Sequence, residues 1–244
     1  MAESFEVTGM IISSMPVGEY DRRIVILTKE CGKIAAFAKG ARRPNSQLVG
    51  VTRAFIFGRF EVYRSRDSYT IYKAYADNYF EEVVTDLDGI LYACYFAEHA
   101  DYYGRENLDA SEIINLLYIS LKALTKEHIP NELVRYIYEL RLIAINGECP
   151  DVFVCHECGA DNINAYSLLE NAFLCEECSQ KTTGTIRLSQ TCVYTIQYII
   201  TSPLKKLFSF TVDENVLSEI RRVMNRITKI TFDKDFKSKN MLPD

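Results

Sequence analysis

The sequence predicts an α+β protein: an N-terminal five-stranded barrel of the OB type, followed by an all-helical domain with an inserted four-cysteine zinc module. Three observations predict it. Residues 1–80 show strand-like alternation punctuated by short turns. From Thr85 onward apolar residues recur at helical spacing. Between Val154 and Ser179 that spacing stops and two C-x2-C pairs appear.

The first strand is expected over Glu6–Ser14. Arg22–Thr28 is a β-branched run, and Lys33–Lys39 follows it across the turn Lys29-Glu30-Cys31-Gly32, so the two read as a hairpin with Gly32 at the permissive position. Arg53–Tyr63 alternates Ala54, Ile56 and Gly58 against Phe55, Phe57 and Arg59. A turn near Asp67-Ser68 leads into Tyr69–Ala76. Five short strands in so short a segment suit a small closed barrel.

Thr85 is expected to cap a helix carrying Leu87, Leu91 and Cys94 inward. Asp109 and Glu112 have capping-box spacing before Ile113, Leu117, Leu121 and Leu124. Asn131 opens a helix with Leu133, Ile137, Leu140 and Ala144 on one face, ended by Gly147 and Pro150. After the cysteine segment, Val193, Ile196 and Ile200 form one stripe. Val216, Ile220, Val223 and Ile227 form another, with Asp213 as cap. These flanking stripes are expected to pack on each other, so the cysteine segment is an insertion. The organisation expected is 1–80 as an OB-fold nucleic-acid-binding domain, 81–153 with 180–236 as the helical domain, 154–179 as the zinc-binding insertion and 237–244 as a flexible tail.

Cys155, Cys158, Cys175 and Cys178 follow the spacing C-x2-C, sixteen residues, C-x2-C. Two residues between cysteines let both thiolates of a tight turn face one metal, and Gly159 frees the turn that follows Cys158. The intervening segment is long enough for a short hairpin that brings the pairs together. Four thiolates fill a tetrahedral zinc and leave no position for water or substrate, so one structural Zn2+ is expected. Four unrelated cysteines, or two disulfide-forming pairs, are the bland alternatives. His156 lies between two ligands and is expected to point away.

The net charge is −5, yet residues 1–80 carry 12 Lys/Arg against 8 Asp/Glu, and the remainder 16 against 25. A basic head therefore precedes an acidic body. Lys33, Lys39, Arg42 and Arg43 lie in and after the third strand, with Arg22, Arg23, Arg53, Arg59, Arg64 and Arg66 nearby. Gly40 frees the backbone before two guanidiniums suited to phosphate oxygens, and Pro44 stiffens the exit. Phe37, Phe55, Phe57, Phe60, Tyr63, Tyr69 and Tyr72 are interleaved; most are expected in the barrel core, the rest on a stacking surface. Neutralising about five phosphates predicts a log–log salt slope near −3.5 on a single strand.

An enzyme is not expected. The sequence contains no Walker A loop, G-x-G-x-x-G, G-x-S-x-G or H-E-x-x-H, and His99 and His128 read as ordinary helix residues. The N-terminus lacks a signal-peptide pattern and no segment reaches membrane-spanning length, so a soluble cytoplasmic protein is expected.

The runs Glu19-Tyr20-Asp21-Arg22-Arg23-Ile24-Val25, Thr28-Lys29-Glu30-Cys31-Gly32-Lys33-Ile34 and Ala38-Lys39-Gly40-Ala41-Arg42-Arg43-Pro44 resemble the RecO recombination mediators of bacteria. Phe60–Tyr63, Asp67-Ser68-Tyr69 and the Cys155–Cys178 segment continue the resemblance, which spans nearly the whole chain. It implies a DNA-binding mediator of recombinational repair that binds single- and double-stranded DNA and anneals complementary strands. With RecR, such proteins help load RecA onto strands coated by single-strand-binding protein. Carried over by residue, DNA contact falls on Lys33, Lys39, Arg42 and Arg43, then on Arg22 and Arg23. Arg221, Arg222 and Arg226 are basic contributors to any site for single-strand-binding protein on the helical domain. The rival is an OB-fold, zinc-ribbon adaptor that binds RNA or transcription partners.

Overall fold

The computed structural model describes residues 4–65 and 68–243. Arg66 and the turn residue Asp67 therefore lie outside the described residues. Two compact units are present: Met1–Thr125 with Phe236–Asp244, and Lys126–Asp235.

In the first unit β1 (Ser4–Val17), β2 (Asp21–Thr28), β3 (Gly32–Ala38), β4 (Phe57–Arg64) and β5 (Tyr69–Asn78) close into a barrel of order β1-β2-β3-β5-β4. The five-stranded OB-type expectation is met. Strand β3 alternates strictly, with Ile34, Ala36 and Ala38 buried, and these join Val7, Ile11, Ile24, Ile26, Phe60, Val62 and Ile71 in the barrel core. The fourth strand starts at Phe57 rather than at the expected Arg53. Phe55 takes a left-handed φ of 66°, which breaks extended backbone, and its N–H bonds Ile11 O beside the irregularity in β1.

Gly32 opens β3 at φ 64°, and a Cβ there would stand 2.1 Å from Arg105 O. The β2–β3 turn lies directly against residues 105–107, where Lys33 N–H donates to Arg105 O and Asn107 N–H to Cys31 O. Only glycine satisfies both the dihedral and the closeness.

Three helices follow in this unit: α1 (Glu81–Thr85), α2 (Leu87–Tyr103) and α3 (Ser111–Ala123). Compactness thus groups them with the barrel, although the change from strand to helix falls near residue 80. Thr85 ends α1; the cap of α2 is Asp86, whose carboxylate accepts the Gly89 N–H. Leu87 and Cys94 point outward, and the buried face carries Tyr92, Tyr95, Phe96 and His99 instead. Both sets have helical spacing, and the aromatics bury more area. Asp109 accepts the Ser111 N–H but forms no capping box. His128 lies in the turn after α3, not in a helix. The segment expected as a tail is also placed: Glu98 accepts from the Ser238 hydroxyl and N–H, and Phe236, just before the segment, stacks on His99 at 3.8 Å. One large aromatic and a carboxylate acceptor hold this otherwise polar segment.

The second unit holds α4 (Asn131–Ile145), β6 (Ile163–Ser167), β7 (Ala172–Cys175), α5 (Glu176–Ser179), β8 (Thr185–Arg187), α6 (Gln190–Thr201) and α7 (Glu214–Thr231). Helices α4, α6 and α7 pack together, as their stripes predict. Asp213 caps α7 through Val216 N–H. Ile199 rather than Ile200 completes the buried stripe of α6. Strands β7-β6-β8 form a small antiparallel sheet that carries the cysteine pairs.

Candidate functional site

The cysteine segment closes as its spacing predicts. Strands β6 and β7 are the hairpin between the pairs, and Ile163 lies opposite Cys175. Cys155 and Cys158 flank a turn in which Gly159 N–H donates to Cys155 O, and Gly159 continues at φ 74°. His156 N–H donates to Phe173 O and so pins this turn to β7. Cys175 ends β7 and Cys178 lies in α5, one helical turn further on.

All four sulfurs lie within 4.8 Å of one another, and Cys158 Sγ is 3.6 Å from Cys175 Sγ. Four Sγ atoms bonded to one zinc at about 2.3 Å would stand about 3.8 Å apart, so the four can hold one metal ion. Burial pushes the Cys155 thiol up, but backbone N–H groups of both turns outweigh it and hold Cys155 down at about 6. Hydrogen bonding among the sulfurs, chiefly from Cys158, pushes Cys178 up to about 12. A donor set that favours the thiolate at Cys155 and the thiol at Cys158 and Cys178 suits displacement of those protons by a cation. His156 is exposed and is not among the closely grouped ligand atoms.

Three groups of basic residues lie on the barrel, and Arg53 is exposed in the β3–β4 loop. At one end, Lys39, Arg42 and Arg43 are exposed on the loop after β3. The β1–β2 hairpin holds that loop: Asp21 Oδ1 accepts Gly40 N–H at 2.7 Å, Tyr20 O accepts Arg42 N–H at 2.8 Å and Gly18 O accepts Arg42 Nη1 at 3.3 Å. The Arg43 guanidinium lies 5.1 Å from the centroid of the Tyr20 ring. Arg23 is exposed on the same side of β2 as Phe37 on β3. None of these four cations has a carboxylate within ion-pair distance among the described residues. Arg22 is half-buried and donates to Ser14 Oγ, which itself donates to Thr52 O, so it braces the loop from beneath.

Lys33 stands elsewhere. It is six residues from Lys39 along an extended strand, roughly 20 Å. Its ammonium donates to Asp101 O at 2.6 Å and pairs with the Asp101 carboxylate at 3.2 Å. The outer face of β4 and β5 is a third group. There Arg59 pairs with Glu6, Arg64 with Glu106 and Lys73 with Glu61. Of the interleaved aromatics, Phe55, Phe60 and Tyr69 are buried, and Tyr72 is exposed. Tyr20 sits in the β1–β2 turn, outside the strand alternation and next to the run Asp21-Arg22-Arg23.

In the second unit Arg221 is bound to Glu132 through Nε and Nη2 at 2.5 and 2.6 Å, and Arg226 donates to Leu168 O. Both guanidiniums are structural ties. Arg222 alone of the three is exposed.

No helix among the described residues is long and apolar enough to cross a membrane. Residues 1–80 match the family model described as recombination protein O N terminal, and residues 84–240 match the recombination protein O C terminal model. The chain is similar to the DNA repair protein RecO of Acetivibrio thermocellus, with 33% identity over 95% of this chain and 93% of that protein. It is also similar to the same-named proteins of Alkaliphilus metalliredigens, at 26% over 93% of both chains, and of Bacillus subtilis, at 24% over 89% of this chain and 85% of the other. With both halves of the sequence matched in order by the two models, the chain belongs to the RecO family.

Proposed function

We propose that this protein is a DNA-binding mediator of recombinational repair. It binds single- and double-stranded DNA on the barrel and anneals complementary strands. With RecR it helps load RecA onto strands coated by single-strand-binding protein. The observation that carries this reading is the cluster of Lys39, Arg42 and Arg43, free of carboxylate partners among the described residues, at one end of a closed five-stranded barrel in a chain of net charge −5. Names borne by relatives along nearly the whole chain support it.

The mechanism is electrostatic. The three loop cations and Arg23 neutralise the phosphates of one strand, which lowers the repulsion met by its complement. Lys33, spent on Asp101, contributes less than its place in the sequence suggests. About four neutralised phosphates give a salt slope near −2.8 on a single strand. No group on the barrel is asked to make or break a covalent bond, and the protein is not an enzyme. It acts in the cytoplasm, at the nucleoid.

The ion of the cysteine module is zinc, one per chain, which ties the two turns together and has no position left for chemistry. The module at 154–179 is then a scaffold within the helical body, and 1–80 is the DNA-binding domain.

A strand-annealing assay with and without single-strand-binding protein tests the reading. A mediator speeds pairing of coated strands, and an adaptor protein does not. Equal affinity for RNA and DNA of one sequence, with no annealing, would support an RNA-binding module instead.

A further inference from the structure

The β1–β2 hairpin exposes apolar side chains that the electrostatic mechanism does not use. Met15, Val17 and Tyr20 are 58%, 40% and 40% exposed. Strand register puts Met15 opposite Arg23 and Arg23 opposite Phe37, so these three form a row on the outer face of the barrel. Single exposed apolar residues are ordinary, but three on one hairpin, beside cations that meet no carboxylate among the described residues, are a patch with a basic rim. The Tyr20 ring is organised with that rim. The Arg43 guanidinium lies over it, and the Tyr20 carbonyl accepts the Arg42 N–H. Ring and guanidiniums are thus held on one backbone, at the loop end where OB barrels meet single strands.

We propose that Tyr20 is a base-stacking platform. A nucleobase of a single strand lies on its ring, with Met15 and Val17 as apolar neighbours, while Arg42 and Arg43 hold the adjacent phosphates. The inference rests on the DNA-binding reading and adds to it a contact with the bases themselves. Stacking is indifferent to sequence because every base has a π-face, so the platform serves a strand of any sequence.

The chain contains no Trp, so Tyr20→Trp introduces a single indole at the platform. Its emission should be quenched in step with binding of an oligothymidylate of about 16 nucleotides, the upper site size of one OB fold. A wholly abasic strand of the same length should bind without quenching it. Tyr20→Leu should lose about tenfold in affinity for oligothymidylate and nothing for the abasic strand. Arg42→Ala/Arg43→Ala should weaken both. If labelled oligothymidylate binds the Tyr20→Trp protein and the indole emission does not change, the platform is refuted while the DNA reading stands. If the wild-type protein binds neither strand, both fall. A thermal midpoint equal to that of the wild type shows that Tyr20→Leu keeps its fold, and Tyr20→Trp decides independently of it.

Discussion

Four sulfurs of the cysteine module lie within 4.8 Å of one another, whereas the cations of the barrel are spread over the length of a strand and its flanking loops. The difference follows from what each ligand demands. A metal ion requires all its donors at bond distance, so a short hairpin must bring both pairs to one point. A polyanion tolerates separated contacts, and what matters is which cations are left free. In the module all four cysteines of the pattern come together. On the barrel the sequence pattern included Lys33, which Asp101 has already claimed, and Arg22, which braces the loop.

Removing the metal should have the largest effect and tests the module's half of the comparison. Apparent binding energies of structural zinc are about 10–16 kcal/mol. Chelation or Cys155→Ser should therefore unfold the segment from Cys155 to Cys178 and leave the barrel cooperative. Hydrogen exchange by region reads this, and native mass with and without chelator reads the ion. Protein freshly purified under reducing conditions without zinc would defeat the assignment.

The two glycines of the turns sharpen the comparison next. Gly32 combines a positive φ with a backbone oxygen 2.1 Å from the place a Cβ would occupy, whereas Gly159 has positive φ and open space around it. Gly32→Ala should cost about 2–3 kcal/mol in urea unfolding of the barrel. Gly159→Ala should cost about 1 kcal/mol, the left-handed penalty alone. Equal losses would mean that the closeness at Gly32 relaxes freely.

The division among the cations is tested by pairing variants. Arg42→Ala/Arg43→Ala should weaken single-strand binding by about tenfold or more and flatten the salt slope by about 1.4. Lys33→Ala should weaken binding by only a few-fold, and its half-exposed ion pair is worth less than about 1 kcal/mol of stability. Should Lys33→Ala match the double variant, the two ends of β3 would act as one site.

The smallest effect belongs to the second unit's structural arginine. The Arg221 guanidinium, hydrogen-bonded to Glu132, holds that carboxyl below its usual range against the opposing effect of burial. A depressed folded value means the contribution is present above the unfolded pKa, near 4.5, and is lost as pH falls through the lower folded value. Arg221→Gln should therefore lower the thermal midpoint slightly at neutral pH and by a vanishing amount at strongly acid pH. An equal drop at both would assign the loss to packing.

The cysteine grouping, the barrel strands and the stripes of α3, α4 and α7 were legible in the chain itself. Each is a periodic or fixed-interval pattern, and local backbone geometry converts such intervals directly into faces and turns. Helix α2 was misread because two stripes competed there, and only packing chose the aromatic one. Tyr20 has no period, since its place is a turn. What tertiary structure alone decided is which charges are available. Lys33 and Lys39 are the same residue type, six positions apart at the two ends of β3. One meets Asp101, a residue 68 positions away in sequence, and the other meets no carboxylate among the described residues. A side chain's identity is a property of the sequence, but its freedom to bind depends on the partners that distant segments bring within reach of its charge.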